Sequence, residues 1–227
     1  MAGSRRAQIL QVAAPLFARR GFHGVSIDEL GAAAGVSGPA LYRHFPGKEA
    51  ILAELLLDVS HRLLEGGRLQ VSNRPDPPAA LVALVEGHVA FALAEPALIT
   101  LQARDLDAVP EPARRQVRGL QRRYVELWVE TVVAVTGVEP DVALAGTHAT
   151  LGLINSTPFS ARLPAPAMSS LLRDAALAAL GALGALAPSL EGPLSEQGAT
   201  GARKYHQLQR RVGAPEIESA AQSSHSP

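Results

Sequence analysis

The stretch GVSGPALYRHFPGKEAIL, residues 35–52, decides the fold. A run able to form helix, residues 40–45, is opened by Ser37-Gly38-Pro39 and shut by Pro46-Gly47, which leaves about two turns between the breakers. Helices under ~12 residues rarely recover the cost of nucleation in water. So short a helix must be held by its neighbours, and what it carries should explain why it is there.

Working outward, Ile9, Val12, Ala13, Leu16 and Phe17 repeat at helical spacing and Gly21 ends their run. Ser26 stands three residues before Glu29, a capping box that opens a second helix with Ile27, Leu30 and Ala34 on one face, closed by Gly35. A longer helix starts at Lys48. Capped helix, glycine turn and brief second helix follow the grammar of helix-turn-helix. Ile27, Leu30, Ala34, Val36, Leu41 and Phe45 are expected to face Ile9, Leu16 and Phe17, with the small Ala32, Ala33 and Ala34 permitting a close crossing. Leu41 and Phe45 point inward four residues apart, so Pro39 and Arg43 project the other way, flanked by Ala40, Tyr42 and His44. That face suits a major groove. Gly38, Pro39 and Ala40 give clearance, Arg43 can pair with guanine or phosphate, and the N-cap Ser37 leaves N–H groups for phosphate. Lys48 would oppose the macrodipole of its helix unless a phosphate sat there; the alternative is a solvated surface lysine.

Beyond a breaker-rich link at residues 72–78, helices are expected at about 79–94, 96–106, 112–135, 141–155 and 166–187, about nine in an all-α chain with short loops. Strand signals are scarce. Residues 190–227 turn to Gly, Ser, Pro and Gln and are expected to be a flexible tail, with a short helix near 203–211. The 227 residues are 47% hydrophobic and 19% charged, which suits one or two globular domains. Net charge is zero, but residues 1–50 hold six basic against three acidic groups, a modest pointer to a polyanion. The absence of cysteine excludes disulfides and thiolate chemistry. The N-terminus is a poor signal peptide, and the longest apolar stretch, residues 175–188, falls short of the ~20 residues a bilayer requires. A cytoplasmic protein with no membrane partner is the simple reading.

The block from Arg5 to Leu55 resembles the N-terminal DNA-binding domain of TetR-family transcriptional regulators. It carries the A-x-x-L-F-x-x-x-G-F end of helix one, then SIDELGAAAGVS, then LYRHFPGKEAIL. The resemblance implies a three-helix DNA-binding domain at 1–48, a ligand-binding and dimerisation domain at 49–189, and Ser26, Ser37, Gly38, Pro39, Ala40, Tyr42, Arg43, His44 and Lys48 at the DNA. Gly38 and Ala40 stand where many members place longer or hydroxylated side chains, so base reading would rest on Arg43 and Tyr42. It further implies a homodimer on a palindromic operator, nucleoid-associated when bound in a bacterial cytoplasm, with no cofactor.

For a ligand site the second half offers Phe91, Gln102, Leu106, Tyr124, Trp128, Asn155 and Phe159, bulk with a few polar handles, against the alternative that most are ordinary core. LINSTPFSARL, residues 153–163, is similar to a segment of members associated with lipid and acyl-CoA metabolism, which implies a small apolar, acyl-type effector. Arg114, Arg118 and Arg122 line one helix face, either gripping an anion or solvated. His88 and His148 are either satisfied core histidines or ligand contacts. Leu177, Leu180, Leu183 and Leu186 among Gly and Ala suggest a helix that pairs with a second subunit beside the 141–155 helix. A repressor released by its effector is the expected function. An activator, a ligand-independent DNA binder and a helical enzyme are the alternatives, the last without any catalytic motif in the sequence.

Overall fold

The computed structural model describes residues 5–190, with side chains through Gly184. The chain divides into two compact units, Met1–Gly184 and Ala185–Pro227, and of the second only helical residues 185–190 are described. The expected tail and its short helix lie outside the described residues.

Ten α-helices and one 3-10 turn follow one another among the described residues, with no strand. They are α1 (Arg5–Arg20), α2 (Ile27–Ala34), α3 (Gly38–Tyr42), α4 (Lys48–Ser72), α5 (Pro77–Ala94), α6 (Pro96–Arg104), the 3-10 turn Leu106–Ala108, α7 (Ala113–Thr136), α8 (Pro140–Ile154), α9 (Thr157–Ser160) and α10 (Ala165–Leu190). The nine expected helices are all present; α9 is a single turn, too short to show a period in sequence. α3 is shorter and starts earlier than expected. Ser37 caps it by accepting from Ala40 N, and Arg43 ends it, because a residue preceding proline avoids the α region and Phe45 precedes Pro46.

The Ser26–Glu29 capping box forms, and Arg20 Nη1 joins it 2.5 Å from Glu29 Oε1. Together these bonds hold the Glu29 carboxyl down at about 2, the Ser26 backbone N–H foremost. Gly35 then reverses the chain at φ 67°, a left-handed conformation open to glycine at little cost. The close approach falls on a different residue from the alanines expected. Ala32 and Ala33 are exposed, whereas Gly31 is buried, and a Cβ there would stand 2.9 Å from Val36 O.

α3 holds because both of its anchors are fully enclosed. Leu41 and Phe45 are 0% exposed among Ile9, Phe17, Leu30, Ile51 and Leu52. Each such side chain contributes ~1.5–3 kcal/mol on burial, enough for two of them to offset the marginal propensity of five residues. The same core runs on without a break through Leu56 and Val59 of α4 to Leu98 and Leu101 of α6 and Val117 of α7.

In the other half α4 packs on α5 and α7, and α7 on α8, while α6 lies along α1. α5 has 18 residues at a mean hydropathy of 1.5, long and apolar enough to cross a membrane by length and composition, whereas the expectation weighed only residues 175–188, which fall short of that length. Its lack of a polar face has a local reason: α4, α6, α7 and α8 all pack against it.

Candidate functional sites: the face of α3 and the chamber beside His88

On the α2–α3 face, Tyr42 is 55% exposed, Ser26, Ser37, Pro39 and Arg43 are exposed, and Gly38, Ala40 and His44 are half-buried. Arg43 forms no hydrogen bond or ion pair among the described residues. Its neighbours are spent on structure. Arg6 pairs with Glu54 of α4, donates 2.5 Å to His44 O and lies 4.1 Å over the Phe45 ring, so it pins the chain after α3 to α1 and α4 at once. Sequence reasoning did not single out Arg6, since its partners are 38 and 48 residues away.

Two expectations change here. The Ser26 hydroxyl is engaged with Glu29, accepting from its N–H and donating to Oε2. The N-terminus of α3 has a carboxylate close by: a Cβ on Gly38 would stand 2.6 Å from Asp28 Oδ1. Lys48 is turned inward. Its Nζ donates to Phe22 O at 3.1 Å and Val25 O at 3.0 Å and sits 4.7 Å from the Phe22 ring centroid, so two carbonyls and an aromatic face offset the unfavourable dipole that a phosphate was expected to offset.

The second site is a chamber of about 250 Å³ whose walls include Ser60, His88, Gln102, Gln121, Tyr124, His148 and Asn155, so both histidines left open in the sequence border it. His88 is buried, and its Nε2 donates to Asn155 Oδ1 at 3.0 Å while Tyr124 OH donates to Nδ1 at 3.2 Å. That tautomer follows from the carbonyl of Asn155 being an acceptor. Burial pulls the imidazole down to about 4, so it is neutral near pH 7, and burial likewise pushes the Tyr124 phenol above its ordinary value.

Outside the chamber lies a more open cleft of about 910 Å³. Pro15 and Arg19 of α1, Ile99, Thr100 and Arg104 of α6, and Phe159 of α9 are among its walls. Gln102, Gln121 and Asn155 border both spaces.

Of the expected ligand residues, Gln102, Tyr124 and Asn155 come together at the chamber, and Phe159, 78% exposed, at the cleft. Phe91 stands beside them, its ring 5.8 Å from that of His88. Trp128 is 0% exposed and backs the chamber, edge-on to His88 at 5.9 Å, its Nε1 without a hydrogen-bond partner among the described residues. Leu106 belongs elsewhere: it packs on the core shared by α1, α4 and α6. His88 resolves as a buried histidine that also faces the chamber, and Gln121 was missed because an amide on a helix carries no pattern of its own.

Arginines of the run on α7 meet carboxylates of this chain, Arg114 and Arg118 converging on Asp107. Arg114 and Arg115 pair with Glu111, and Arg118 with Asp107. Arg104 pairs with Asp105, and in addition its Nη2 donates to Phe17 O at 2.6 Å and Nη1 to Ala18 O at 3.1 Å. It thereby closes the C-terminal end of α1, where carbonyls lack helical partners. No cluster able to hold a metal occurs among the described residues.

Residues 9–55 match the family of bacterial regulatory proteins named for tetR. The HTH-type transcriptional regulator EthR of Mycolicibacterium smegmatis is 30% identical over 163 residues, 70% of this chain and 75% of that protein. The HTH-type transcriptional repressor KstR2 of Rhodococcus jostii is 30% identical over 131 residues, 57% of this chain and 64% of the relative, just under two thirds of its length. Among solved structures, AibR in complex with isovaleryl coenzyme A and operator DNA has the same fold, with a TM-score of 0.65 at 19% identity, covering 76% of this chain and 97% of that one. With a helix-turn-helix matched by the family over residues 9–55 and a relative matched over three quarters of its length, the chain belongs to the TetR family of bacterial regulatory proteins.

Proposed function

We propose that this chain is a ligand-responsive transcriptional repressor that binds a palindromic operator as a homodimer and is released by a small apolar effector. Residues 1–48 take the DNA and residues 49–189 the effector and the second subunit. The observation that carries the reading is the contrast on α3: Leu41 and Phe45 are fully buried, while Tyr42 and Arg43 face outward beside Pro39 and Ala40 with no partner for the guanidinium among the described residues. Arg43 and Tyr42 read base edges, with Gly38 and Ala40 giving clearance. Ser26, Ser37, Pro39 and His44 shape the surface that meets the backbone, and Lys48 holds that surface to α4 from within.

α6 links the two halves. Gln102 borders the chamber, and two residues on Arg104 holds the last carbonyls of α1. An effector that seats better when α6 is displaced moves α1, and with it the spacing of two α3 helices that must stand about one DNA turn, ~34 Å, apart. α8 and α10 supply the dimer surface: Leu144 and Leu171 are exposed, and a Cβ on Gly146 would stand 2.3 Å from Leu183 Cδ1, which marks how closely the two helices cross. AibR, a protein of like fold, is named as a complex with an acyl coenzyme A and operator DNA, which supports an effector with an acyl-like portion. Such a protein works in the cytoplasm, and on the nucleoid when bound.

Fluorescence anisotropy against the promoter of its own or a neighbouring gene tests this. The expected result is salt-sensitive, palindrome-specific binding by two protomers that an effector weakens, with operator weakening effector binding by the same factor. Binding without sequence preference would sink it.

A further inference from the structure

Chamber and cleft adjoin through Gln102, Gln121 and Asn155, and charge is unevenly placed around them. Among the described residues no aspartate or glutamate stands in the walls of either, whereas Arg19 and Arg104 stand in those of the cleft and His88 and His148 in those of the chamber. Three of these four are accounted for. Arg104 is matched by Asp105 and held by Phe17 O and Ala18 O. His88 has both ring nitrogens engaged, with Tyr124 and Asn155, and burial keeps it neutral near pH 7. His148, exposed on α8, also borders a groove beside α7 in which Arg122 is outnumbered by Glu126, Glu130 and Asp141, a poor place for an anion. Arg19 remains. It is exposed in the last turn of α1 and makes no hydrogen bond or ion pair among the described residues. A basic residue there also answers the helix dipole. Arg20 beside it does the same while tied to Glu29, and two carbonyls at that end already accept from Arg104. What distinguishes Arg19 is its place on the edge of a space of about 910 Å³ shared with the apolar Pro15, Ala18, Pro96, Ile99 and Phe159, the last 78% exposed.

We infer that chamber and cleft take one amphipathic molecule, whose anionic head, a carboxylate or a phosphate, pairs with Arg19 while its apolar stem lies along Ile99 and Phe159 and passes Gln102 and Asn155 toward His88. A head at the rim keeps part of its hydration, which a charge drawn in beside a neutral imidazole would lose. The stem gains by leaving water and covers the Phe159 ring as it does so. Arg19 belongs to α1, so the head group is bonded to the DNA-reading half itself, and the charge of the effector as well as its bulk bears on α1. This deepens the regulatory reading and rests on it only for the effect on DNA.

The chain has one tryptophan, Trp128, 0% exposed and edge-on to His88, so its emission reports occupancy of the chamber without any label. Dodecanoate, dodecyl phosphate and dodecanol, stems of like length with different heads, are titrated into the full chain at pH 7.5 below their critical micelle concentrations. Calorimetry gives the affinity, emission the chamber and anisotropy the operator. In low salt the tighter of the two anions should bind about fivefold better than dodecanol, a margin that closes in about 1 M salt; which anion leads tells carboxylate from phosphate. Arg19→Gln, at an exposed position whose loss leaves the core intact, should remove the margin and leave dodecanol unchanged. Arg19→Lys should restore part of it, and His148→Gln should leave it whole. A margin that survives Arg19→Gln, or that vanishes in His148→Gln, overturns the placement of the head. Dodecanol binding as tightly as both anions overturns the class, and binding that leaves emission unchanged overturns the course of the stem. If specific operator binding is present while both anions fail, the ligand class alone falls; if operator binding is absent, the regulatory reading falls whatever fills the chamber.

Discussion

Replacing Lys48 with methionine keeps the apolar stem against Phe22 and removes only the ammonium. In the structure that ammonium closes two carbonyls, Phe22 O at 3.1 Å and Val25 O at 3.0 Å, and covers the Phe22 ring. A hydrogen bond to a charged group contributes ~1.5–3 kcal/mol, and a cation over an aromatic ring ~0.5–2 kcal/mol. Against these stand the opposing macrodipole, ~0.3–1 kcal/mol, and the partial exposure of the lysine, which lets water replace part of each bond. A net loss of about 2–3 kcal/mol follows. For a chain of this size that corresponds to roughly 5–10 °C in Tm. Urea and thermal unfolding measure the loss, and a salt titration of operator binding measures the other possibility. With both bonds directed inward, the slope of log K against log salt should stay unchanged. A stability change below ~0.5 kcal/mol, together with a slope shallower by about one, would refute the reasoning and return Lys48 to the phosphates.

Three further outcomes are expected. His88 refuses a proton that the unfolded chain accepts, its folded value of about 4 lying below the ordinary 6.5, so its contribution is complete above pH 6.5 and is lost as pH falls toward 4; the wild type should lose up to ~3 kcal/mol more than His88→Phe between pH 7.5 and 4, compared by urea midpoints. Arg43→Ala should leave unfolding unchanged and relax base preference at one position of each half-site by ~1–3 kcal/mol, read by competition with operator variants. Arg104→Ala strands the Asp105 carboxylate, 8% exposed, and takes a donor from Ala18 O and from Phe17 O, the latter keeping its bond from Gly21 N; it should cost ~2 kcal/mol after discount for the arginine's own exposure while uncoupling effector binding from operator release.

What could be read before the structure was local. Ser26 with Glu29, Gly35, Ser37 and Pro46 mark helix ends through bonds or torsions within four residues, and those signals placed α2, the turn and α3. The inward face came from periodicity, and Ile9, Phe17, Leu30, Leu41 and Phe45 are all fully enclosed. The losses were at long range. Nothing near Lys48 in sequence says that its partners are carbonyls 26 and 23 positions back, and nothing near Arg104 points to the end of α1 more than 80 residues away. Periodicity also cannot separate a residue that lines a cavity from one that stands behind it. Trp128 and Leu106 were drawn to the ligand by their bulk, whereas the chamber is edged by the less conspicuous Gln121 and Ser60. Asp28 shows the same limit at short range: its distance to Gly38 depends on the sharpness of the turn between them.

The unbroken core has a consequence for anyone exchanging DNA-reading heads between relatives. A cut at residue 48 falls at a loop in sequence but passes through the middle of a packed interior, stripping Phe45 and Leu41 of Ile51, Leu52, Leu56 and Leu98. A transplanted head that keeps its specificity must therefore bring the opening turns of α4 with it and meet a recipient whose α6 presents matching leucines. Seen that way, the transferable part is the half of the molecule enclosed by one shared interior rather than the fifty residues that spell the motif.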